Sequence, residues 1–460
     1  MAQASGDARL RADKLVVASI HKAVFDRNHQ QVVDSGPWDV VIVDECHHLS
    51  DWGEDGGKAN RSYRLVSQLA QSIPPGGRLL LMSGTPHQGS EARFKNLLKL
   101  LSDDGRSSEG AGGRVIYRTK DRVKDWNGQP LFPSREIRPP TVVRLGDAYE
   151  NWYNSVGKLY DVSNRSTARA RASGWAKGQA LQWTASSVHA GLAFLCRLAI
   201  RRLNWTTDVR ALTCALKALR PYRGGLQDEP IRSLYDRFYK QVRAQIVQGE
   251  IVDDDDEEID DENWQPDGEM LAALLDQGVE LVGSPASSAK WAALEQIIAE
   301  AGRDKIVLFA QPVETVALVA SFLEKRFSQT PAIIIGNQSD DERRAQVELF
   351  RSQVGPQFLV SSRAGGEGLN MQCARRLVHL DVPWNPMELE QRVGRVHRFG
   401  SRKTIVVDTL VVAGSREVDM YRIARERLRL IASQLDPEQF ETLFSRVMSL
   451  VPPAELEELG

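Results

Sequence analysis

Short apolar runs alternate with a segment of helical spacing over the first hundred residues. Three runs, "KLVVASI" from Lys14, "DVVIVDE" from Asp39 and "RLLLMSG" from Arg78, have the length and composition of buried strands. Between the last two, "YRLVSQLAQSI" has the spacing of an amphipathic helix. Strands that alternate with helices are typical of βαβ units, so the pattern predicts a parallel sheet.

From about residue 146 to residue 250 the strand pattern gives way to helical spacing. In "SSVHAGLAFLCRLAIRRL" apolar side chains recur every three or four residues, and three arginines lie nearby: Arg197, Arg201 and Arg202. Two interpretations stay open for these arginines. They form either a solvated helix face or a stripe that contacts phosphates.

Strand-like runs return after residue 286. They are "KIVLFA", "AIIIG", "QFLVSS", "RLVHLDV" and "TIVVDTLVV", and helical segments separate them. One helical segment opens with "SDDE", a capping box in which Ser339 and Glu342 bond to the free donors of the helix start. We therefore predict a second parallel sheet, followed by a helical tail.

This organisation predicts an α/β fold with two parallel-sheet lobes. The first lobe is expected at 1–145, a helical insertion at 146–285, the second lobe at 286–415 and the tail at 416–460. Within the insertion, "DDDDEEIDDE" at 253–262 holds nine acidic residues. This run is either a solvated linker or a decoy that competes with nucleic acid for basic grooves.

The charge balance changes once the acidic run is set aside. The whole chain has a formal net charge of −2. Without the run, 52 of the 61 acidic residues remain against 59 Lys and Arg residues, so the rest carries +7. Such a balance suits a polyanionic partner without requiring one.

Cysteine usage and the ends of the chain narrow the class of protein. The four cysteines are scattered and form no CxxC pair, which argues against a disulfide framework or a zinc site. No apolar run is long enough to span a bilayer, and "MAQASGDARLRADK" lacks the apolar stretch of a secretory signal. We expect a cytoplasmic protein with no membrane segment.

Two carboxylates end the second strand-like run. Asp44 and Glu45 follow "VVIV" directly, and ligands of open parallel sheets bind at the carboxyl ends of strands. A nucleotide-hydrolysing site needs one carboxylate to hold Mg²⁺ through its water shell and another to activate the attacking water. A polar strand end explains the dipeptide equally well.

The third run also ends in small polar residues. Ser83 and Thr85 follow "RLLLM" and are expected at the same sheet edge as Asp44 and Glu45. They are suited to relay between the carboxylates and a second lobe. The alternative is a simple turn in which Pro86 begins the next helix.

The second lobe contributes a glycine-rich loop and an arginine-bearing helix. The glycines of "SSRAGGEGLNMQ" permit close backbone approach to a phosphate or sugar, or only a tight loop. In "WNPMELEQRVGRVHRFGS", Gln391, Arg395 and Arg398 are spaced four and three apart and so share a helix face. Two arginines there fit charge stabilisation in phosphoryl transfer, and a surface salt-bridge face is the alternative.

Taken in order, these segments resemble a known family. A carboxylate pair, "SGTP", a glycine loop and "QRVGRVHR" are similar to motifs II, III, V and VI of superfamily 2 helicases. "SSRAGGEGLN" and "PWNPMELEQRVGRVHRFGS" resemble the Swi/Snf-type double-stranded-DNA translocases, most of all the bacterial branch of the RNA-polymerase-recycling ATPase and antiviral defence helicases. The resemblance covers roughly 14–101 and 290–415. It implies RecA-like lobes, ATP and Mg²⁺ as cofactors, and double-stranded DNA as partner, with RNA left open.

The resemblance also implies a role for each matching position of the first lobe. Asp44 would coordinate Mg²⁺ through water, and Glu45 would activate the hydrolytic water. His47 would link this site to the second lobe, while Ser83 and Thr85 would couple hydrolysis to lobe movement.

In the second lobe the resemblance implies two groups of residues. Three would lie at the lobe interface near ribose and nucleic acid: Gly366, Glu367 and Gly368. Three match the last motif, with its two arginines as fingers on the γ-phosphate: Gln391, Arg395 and Arg398.

The family's first motif is missing from this sequence. That motif is a P-loop, GxxxxGK[ST], whose amides and lysine cradle the phosphates. The nearest stretch, "GEDGGKAN" at 53–60, has too short a glycine spacing and follows the carboxylates. Two hypotheses result: a split or truncated DNA translocase whose P-loop comes from a separate polypeptide, with the first lobe incomplete at its N-terminal side, or a catalytically inactive nucleic-acid-binding remnant.

Overall fold

Two compact units make up the part of the chain that the structure describes. The structure is a computed structural model, and it describes residues 15–49, 61–83, 91–102, 114–116, 123–161, 167–222, 229–248, 264–284, 289–336, 338–362, 369–383, 387–399, 403–415 and 417–418. Described residues up to 116 form the first unit, and those from 123 onward form the second.

The first unit is a small α/β layer built on two parallel strands. Its elements are α1 Ile20–Ala23, α2 Asp26–Asp34, β1 Val40–Val43, α3 Arg61–Ser72, β2 Arg78–Leu81 and α4 Glu91–Leu100. Val40 lies opposite Arg78 and Val43 opposite Leu81. The predicted β–α–β order of this region is therefore confirmed, and Leu65, Val66 and Leu69 of the intervening helix are buried.

The strand predicted at "KLVVASI" is wrong. Residues 15–19 have no regular structure, and helix α1 begins at Ile20. Leu15 and Val17 are 83% and 78% exposed. An apolar β-branched run becomes a strand when a neighbouring strand accepts and donates its backbone hydrogen bonds, and in the described residues of this unit β1 and β2 pair with each other.

The second unit contains a larger sheet in which every pairing is parallel. Its strands are β3 Arg135–Ile137, β4 Thr141–Val143, β5 Ile306–Phe309, β6 Ala332–Ile334, β7 Phe358–Ser361, β8 Arg376–His379 and β9 Ile405–Val412. They follow the order β3-β9-β8-β5-β7-β6, and β4 also pairs with β9. The α/β fold class with two parallel sheets is thus confirmed.

Helices cover both faces of this sheet. They are α11 Ala289–Ala301, α12 Val313–Phe327, α13 Asp340–Arg351 and α14 Met387–Val396. Successive residues of β5 enter opposite cores: Val307 and Phe309 pack on one side, and Ile306 and Leu308 on the other. Burial on both faces explains why "IVLF" is apolar without alternation.

A bundle of helices stands between β4 and α11 in the chain. It consists of α5 Asp147–Lys158, α6 Thr167–Ser186, α7 Val188–Arg202, α8 Arg210–Leu219, α9 Ile231–Gln248 and α10 Gly268–Val282. Trp152 is buried at its centre and donates from Nε1 to the Leu274 carbonyl at 2.9 Å. Two glycines give the indole room, because a Cβ on Gly191 or Gly278 would lie 2.9 Å from its ring.

The boundary predicted at residue 145 differs from the structure. The sequence pattern places residues 135–143 in the first lobe, yet Arg135 pairs with Ile405 and Thr141 with Leu410, so both strands complete the second sheet. Pairing over such a sequence separation leaves no local signal in the strand itself. The described residues of the second unit therefore begin at Val123.

Two smaller expectations concern a helix start and membrane spans. At α13 the Ser339 side chain accepts from the Glu342 amide and the Glu342 side chain accepts from the Ser339 amide, so the predicted capping box is confirmed. No helix among the described residues is long and apolar enough to cross a membrane. The acidic run and the tail after residue 418 lie outside the described residues.

Candidate functional site

The carboxylate pair emerges at the carboxyl end of β1. Both Asp44 and Glu45 are exposed, and the Glu45 amide donates to Asp44 Oδ1 at 2.9 Å. Glu45 has φ +50°, a left-handed conformation that is uncommon outside glycine. The turn this makes continues into a 3₁₀ helix, Cys46–Leu49, which contains the His47 backbone. His47's side chain lies outside what the structure describes.

Ser83 lies at the same edge of the two-stranded sheet. The Met82 amide donates to the Val43 carbonyl at 2.8 Å, and the Cys46 amide donates to the Met82 carbonyl at 2.9 Å. These bonds extend the β1–β2 pairing and place Ser83, half-buried, level with the carboxylate pair. Thr85 lies outside the described residues.

Cys46 follows the carboxylates but has no acid–base role. Its side chain is buried in the core of the first unit. Burial raises the pKa of the thiol to about 12, and the neighbouring Glu45 and Asp44 charges add to the increase. The group therefore stays a neutral thiol at physiological pH.

In the second unit, helix α14 has two distinct faces. Gln391, Arg395 and Arg398 are half-buried, while Arg392, Val393 and Val396 between them are buried. Gln391 and Arg395 are one turn apart and share a face of α14, whereas Arg398 lies beyond the last residue of the helix, Val396, so the common face predicted for all three is present only for the first two. Their roles toward a nucleotide stay a prediction.

Backbone and ring contacts fix the end of this helix. Arg398 donates from Nε to the Gly394 carbonyl at 2.9 Å, and His397 Nε2 lies 2.7 Å from the Pro133 carbonyl oxygen. The Met371 amide donates to the Arg395 carbonyl at 3.0 Å, which ties the segment after the glycine loop to α14. Gly366, Glu367 and Gly368 of that loop lie outside the described residues.

A buried carboxylate stands just beyond the end of β8. Asp381 is fully buried, and its Oδ2 accepts from the Gln311 amide at 2.8 Å and from the Ser186 hydroxyl at 2.9 Å. Arg392 Nη1 lies 3.5 Å from Asp381 Oδ1 and also donates to the backbone carbonyl of Asp381 at 3.3 Å. Asp381 thus joins the buried side of α14 to the helical bundle.

The elbow between α6 and α7 supplies the other half of this contact. Thr315 Oγ1 of α12 lies 2.9 Å from Ser186 Oγ and 2.8 Å from Ser187 Oγ. Gln182 donates from Nε2 to Gln311 Oε1 at 2.6 Å and to the Val382 carbonyl at 3.1 Å. These residues are buried or half-buried, so the network holds the bundle against the strand ends without intervening solvent.

Arg197 of α7 is occupied by a second buried contact. Its Nη2 lies 2.6 Å from an oxygen of Glu314, which is fully buried on α12. Its guanidinium also stands 4.9 Å from the Trp183 ring centre and 5.4 Å from that of Phe238. For Arg197 the structure therefore supports neither a solvated face nor a phosphate contact.

Sequence reasoning missed Asp381, Arg392 and Ser186. Asp381 follows an apolar strand at its carboxyl end, the same signal that identified Asp44, and Arg392 is part of the motif quoted for α14. Ser186 carries no such signal, because its partner is 195 residues away in the chain.

The first unit is compatible with a metal that is held through water. Among the described residues, no group of three His, Cys, Asp or Glu side chains could hold a metal directly. Mg²⁺ usually keeps several waters and needs only one or two carboxylates. An exposed Asp44, oriented by the Glu45 amide, fits that requirement.

Comparisons with known proteins support the resemblance. Residues 289–400 match the helicase conserved C-terminal domain. The chain is 22% identical to the uncharacterized ATP-dependent helicase YqhH of Bacillus subtilis, over 92% of this chain and 64% of that protein. It is 28% identical to the RNA polymerase-associated protein RapA of Pseudomonas putida, over 85% of this chain and 36% of that protein.

The chain also matches a solved structure, the SWI2/SNF2 ATPase core of Sulfolobus solfataricus in complex with dsDNA. The sequence identity is 16%, and the match covers 97% of this chain and 76% of that protein. Its TM-score of 0.37 is too low for the folds to be compared in detail. The chain spans less than two thirds of the length of both sequence relatives. The resemblance to helicase-like ATPases is confirmed.

Proposed function

We propose that this chain is part of a motor that hydrolyses ATP to translocate on double-stranded DNA. The observation that carries the proposal is the exposed pair Asp44 and Glu45 at the carboxyl end of β1, level with Ser83. Ligands of open parallel sheets bind at this edge. The likeness to an ATP-dependent helicase over most of this chain supports the same reading.

The two carboxylates would divide the work of hydrolysis. Asp44 would hold Mg²⁺ through its water shell, and that ion, when bound, neutralises charge on the phosphate oxygens. Glu45 would orient the attacking water and accept its proton. The positive φ at Glu45 turns it away from the strand direction, so that adjacent residues can serve different ligands.

The polar face of α14 would supply charge to the transferring phosphoryl group. Arg395 and Arg398 would stabilise the charge that develops on the γ-phosphate, and Gln391 lies one turn away on the same face. Arg392 has a different role, because its guanidinium faces the buried Asp381 carboxylate. One face of α14 would therefore take part in hydrolysis, while the buried face holds the helix against Asp381.

The remaining sequence-predicted residues would couple the site to movement. His47 would link the carboxylates to the second unit, and Ser83 and Thr85 would transmit hydrolysis to lobe movement. Three residues would contact ribose and nucleic acid at the lobe interface: Gly366, Glu367 and Gly368. Ser83 supports this proposal by its position beside the carboxylates.

We further propose that a segment outside these 460 residues, in the same polypeptide or in a separate one, supplies the phosphate cradle. No GxxxxGK[ST] segment occurs in the 460 residues, and backbone amides of such a loop normally hold the β- and γ-phosphates. The carboxylates and arginines of this chain would then complete a site whose phosphate-binding part comes from that segment.

The test is ATP hydrolysis by the purified chain, alone and after addition of a P-loop polypeptide, with and without duplex DNA, beside a Glu45→Gln variant. Glu280→Gln is the matched control, because it removes an exposed glutamate from α10. DNA-stimulated turnover that disappears in Glu45→Gln and persists in Glu280→Gln supports the catalytic assignment. Equal turnover in the two variants would contradict it.

A nucleic-acid-binding protein without hydrolysis is the second candidate. The absence of a P-loop motif favours it. This candidate predicts salt-dependent DNA binding without ATP turnover. Turnover should remain absent when an extract that contains a P-loop polypeptide is added. Turnover that appears on such addition would select the split motor instead.

A further inference from the structure

One face of helix α9 carries both cations and tyrosines. Along the exposed side of Ile231–Gln248 lie Arg232, Tyr239, Lys240 and Arg243. We propose that this face binds the phosphate backbone of duplex DNA. The inference rests on the DNA-binding part of the proposed function and assigns it a contact surface outside the nucleotide site.

Ring and guanidinium contacts order the side chains of this face. Arg232 stands 5.7 Å from the ring centre of Tyr235, and Tyr235 stacks on Tyr239 with centres 6.0 Å apart and planes at 20°. Arg243 then stands 5.3 Å from the ring centre of Tyr239. Arg, Tyr, Tyr and Arg therefore form a continuous ladder along about three turns of helix.

The ladder is anchored from below. Leu234, Phe238 and Val242 on the opposite side of α9 are buried in the core of the bundle. The Tyr235 hydroxyl donates to the Trp205 carbonyl at 3.2 Å. Because the helix and its tyrosines are fixed before any ligand arrives, binding an extended polyanion would cost little further ordering.

The charge of this face is net positive. Asp236 is the acidic residue within the stripe, and its carboxylate lies 3.5 Å from Arg232 Nε. Arg232, Lys240 and Arg243 therefore exceed it by two positive charges. An exposed pair of this kind adds little stability in water, so the Arg232 guanidinium can exchange its carboxylate partner for a phosphate at small cost.

The alternative location for a phosphate-contacting stripe was α7. There Arg197 is committed to the buried Glu314 and to two aromatic rings. On α9, by contrast, the Arg232 side chain remains 70% exposed although its guanidinium contacts the Tyr235 ring. Arginine on an aromatic face keeps its donors directed outward, which suits contact with phosphate oxygens.

The proposal is tested with a triple variant, Arg232→Gln, Lys240→Gln and Arg243→Gln. Its matched control removes three exposed cations elsewhere in the second unit: Lys325→Gln, Arg344→Gln and Arg351→Gln. Affinity for a mixed-sequence duplex is measured by fluorescence anisotropy without nucleotide, between about 50 and 200 mM salt. Melting temperatures of both variants show that the fold is retained.

Loss of three phosphate contacts should lower the slope of log K against log salt by about 2 to 3, since each contact contributes about 0.9. The control should keep the slope of the unaltered chain. A triple variant with an unchanged slope overturns the proposal, and it is also the result expected if the acidic run 253–262 occupies this face instead of DNA.

A second pair of variants tests whether the Tyr239 ring contributes to DNA binding in addition to the positive charges. Tyr239→Ala removes the ring beneath Arg243 without changing net charge, whereas Tyr239→Phe keeps it. Weaker binding in Tyr239→Ala and normal binding in Tyr239→Phe supports the ladder; equal affinities overturn its part in binding. These measurements need no turnover, so a chain that binds DNA but does not hydrolyse ATP refutes the motor and leaves this surface standing.

Discussion

The Ser186 hydroxyl donates to the Asp381 carboxylate at 2.9 Å across 195 residues of chain. One residue ends helix α6 of the bundle, and the other follows strand β8 of the large sheet. Because Asp381 also contacts Arg392 of α14, a single buried carboxylate bonds to two separate elements. The orientation of the arginine-bearing helix therefore depends on the bundle.

Removal of the Asp381 carboxylate should be strongly destabilising. Asp381→Ala would leave the buried Arg392 guanidinium without its charged partner, and a broken buried pair of this kind costs about 3 to 5 kcal/mol. Urea unfolding measures the change in free energy of unfolding. Asp341→Ala, at an exposed aspartate of α13, is the control and should change it by less than about 0.5 kcal/mol. A small loss for Asp381→Ala would show that Arg392 finds another partner.

The two faces of α14 should respond differently to mutation. Arg395→Ala, on the half-buried polar face, should lower DNA-stimulated ATP turnover by about 10³-fold or more while leaving the melting temperature nearly unchanged. Arg392→Ala should lower the melting temperature, because it leaves Asp381 buried without its guanidinium. Turnover and thermal unfolding of the same two preparations decide the matter. The assignment of the faces fails if Arg395→Ala is the variant that unfolds early.

Acid should destabilise the second unit through His189. Burial lowers the pKa of this imidazole to about 4, and the Glu314 charge only partly opposes the shift. Between pH 6.5 and about 4 the unfolded chain binds the proton and the folded one does not, so stability falls as the pH falls through that window. At pH 5 the loss is about 2 kcal/mol relative to neutral pH.

The variant His189→Phe removes the titrating group and keeps a planar ring beside Tyr222. Between pH 7 and pH 5 the free energy of unfolding of the variant should fall by about 2 kcal/mol less than that of the unaltered chain. His379 is also buried with a pKa held well below its usual value, so part of the acid sensitivity should remain. Identical pH profiles for the two proteins would exclude His189 as a cause.

The space around Trp152 should not tolerate a methyl group. In Gly278→Ala the new Cβ would stand 2.9 Å from both Trp152 and Leu192, and overpacking of a core costs about 1 to 3 kcal/mol. Gly268→Ala in the same helix meets its nearest atom, Trp205 Cζ2, at 3.6 Å, so it should be neutral or stabilising. Thermal melts compare the two alanine variants. Equal melting temperatures would mean that the indole shifts freely.

The sequence predicted those features that local pattern determines. The apolar runs from Ile306 to Val412 became strands, the Ser339 capping box formed, and the carboxylate pair shares a sheet edge with Ser83. Each of these depends on residues within a few positions, or on the rule that parallel strands end at one edge.

The features that it did not predict depend on partners far along the chain. "KLVVASI" has a strand composition, but residues 15–19 pair with no strand among the described residues. β3 was assigned to the wrong unit because its partner is β9. The Ser186–Asp381 contact has the same origin, since hydrogen-bonding capacity is visible in a sequence and its partner is not.

The position of β3 beside β9 has a consequence for synthesis on the ribosome. Ser134 and Thr404 place their hydroxyls 2.7 Å apart although 270 residues separate them. At a translation rate of about 5 to 20 residues per second, the β3 segment waits on the order of tens of seconds for its neighbour to emerge. Helices α6, α7 and α8, which contact one another in chain order, have that interval in which to pack. The bundle can therefore pack before β9 completes the sheet. A nascent chain that stalls before residue 405 would expose the edge of β8 to other proteins.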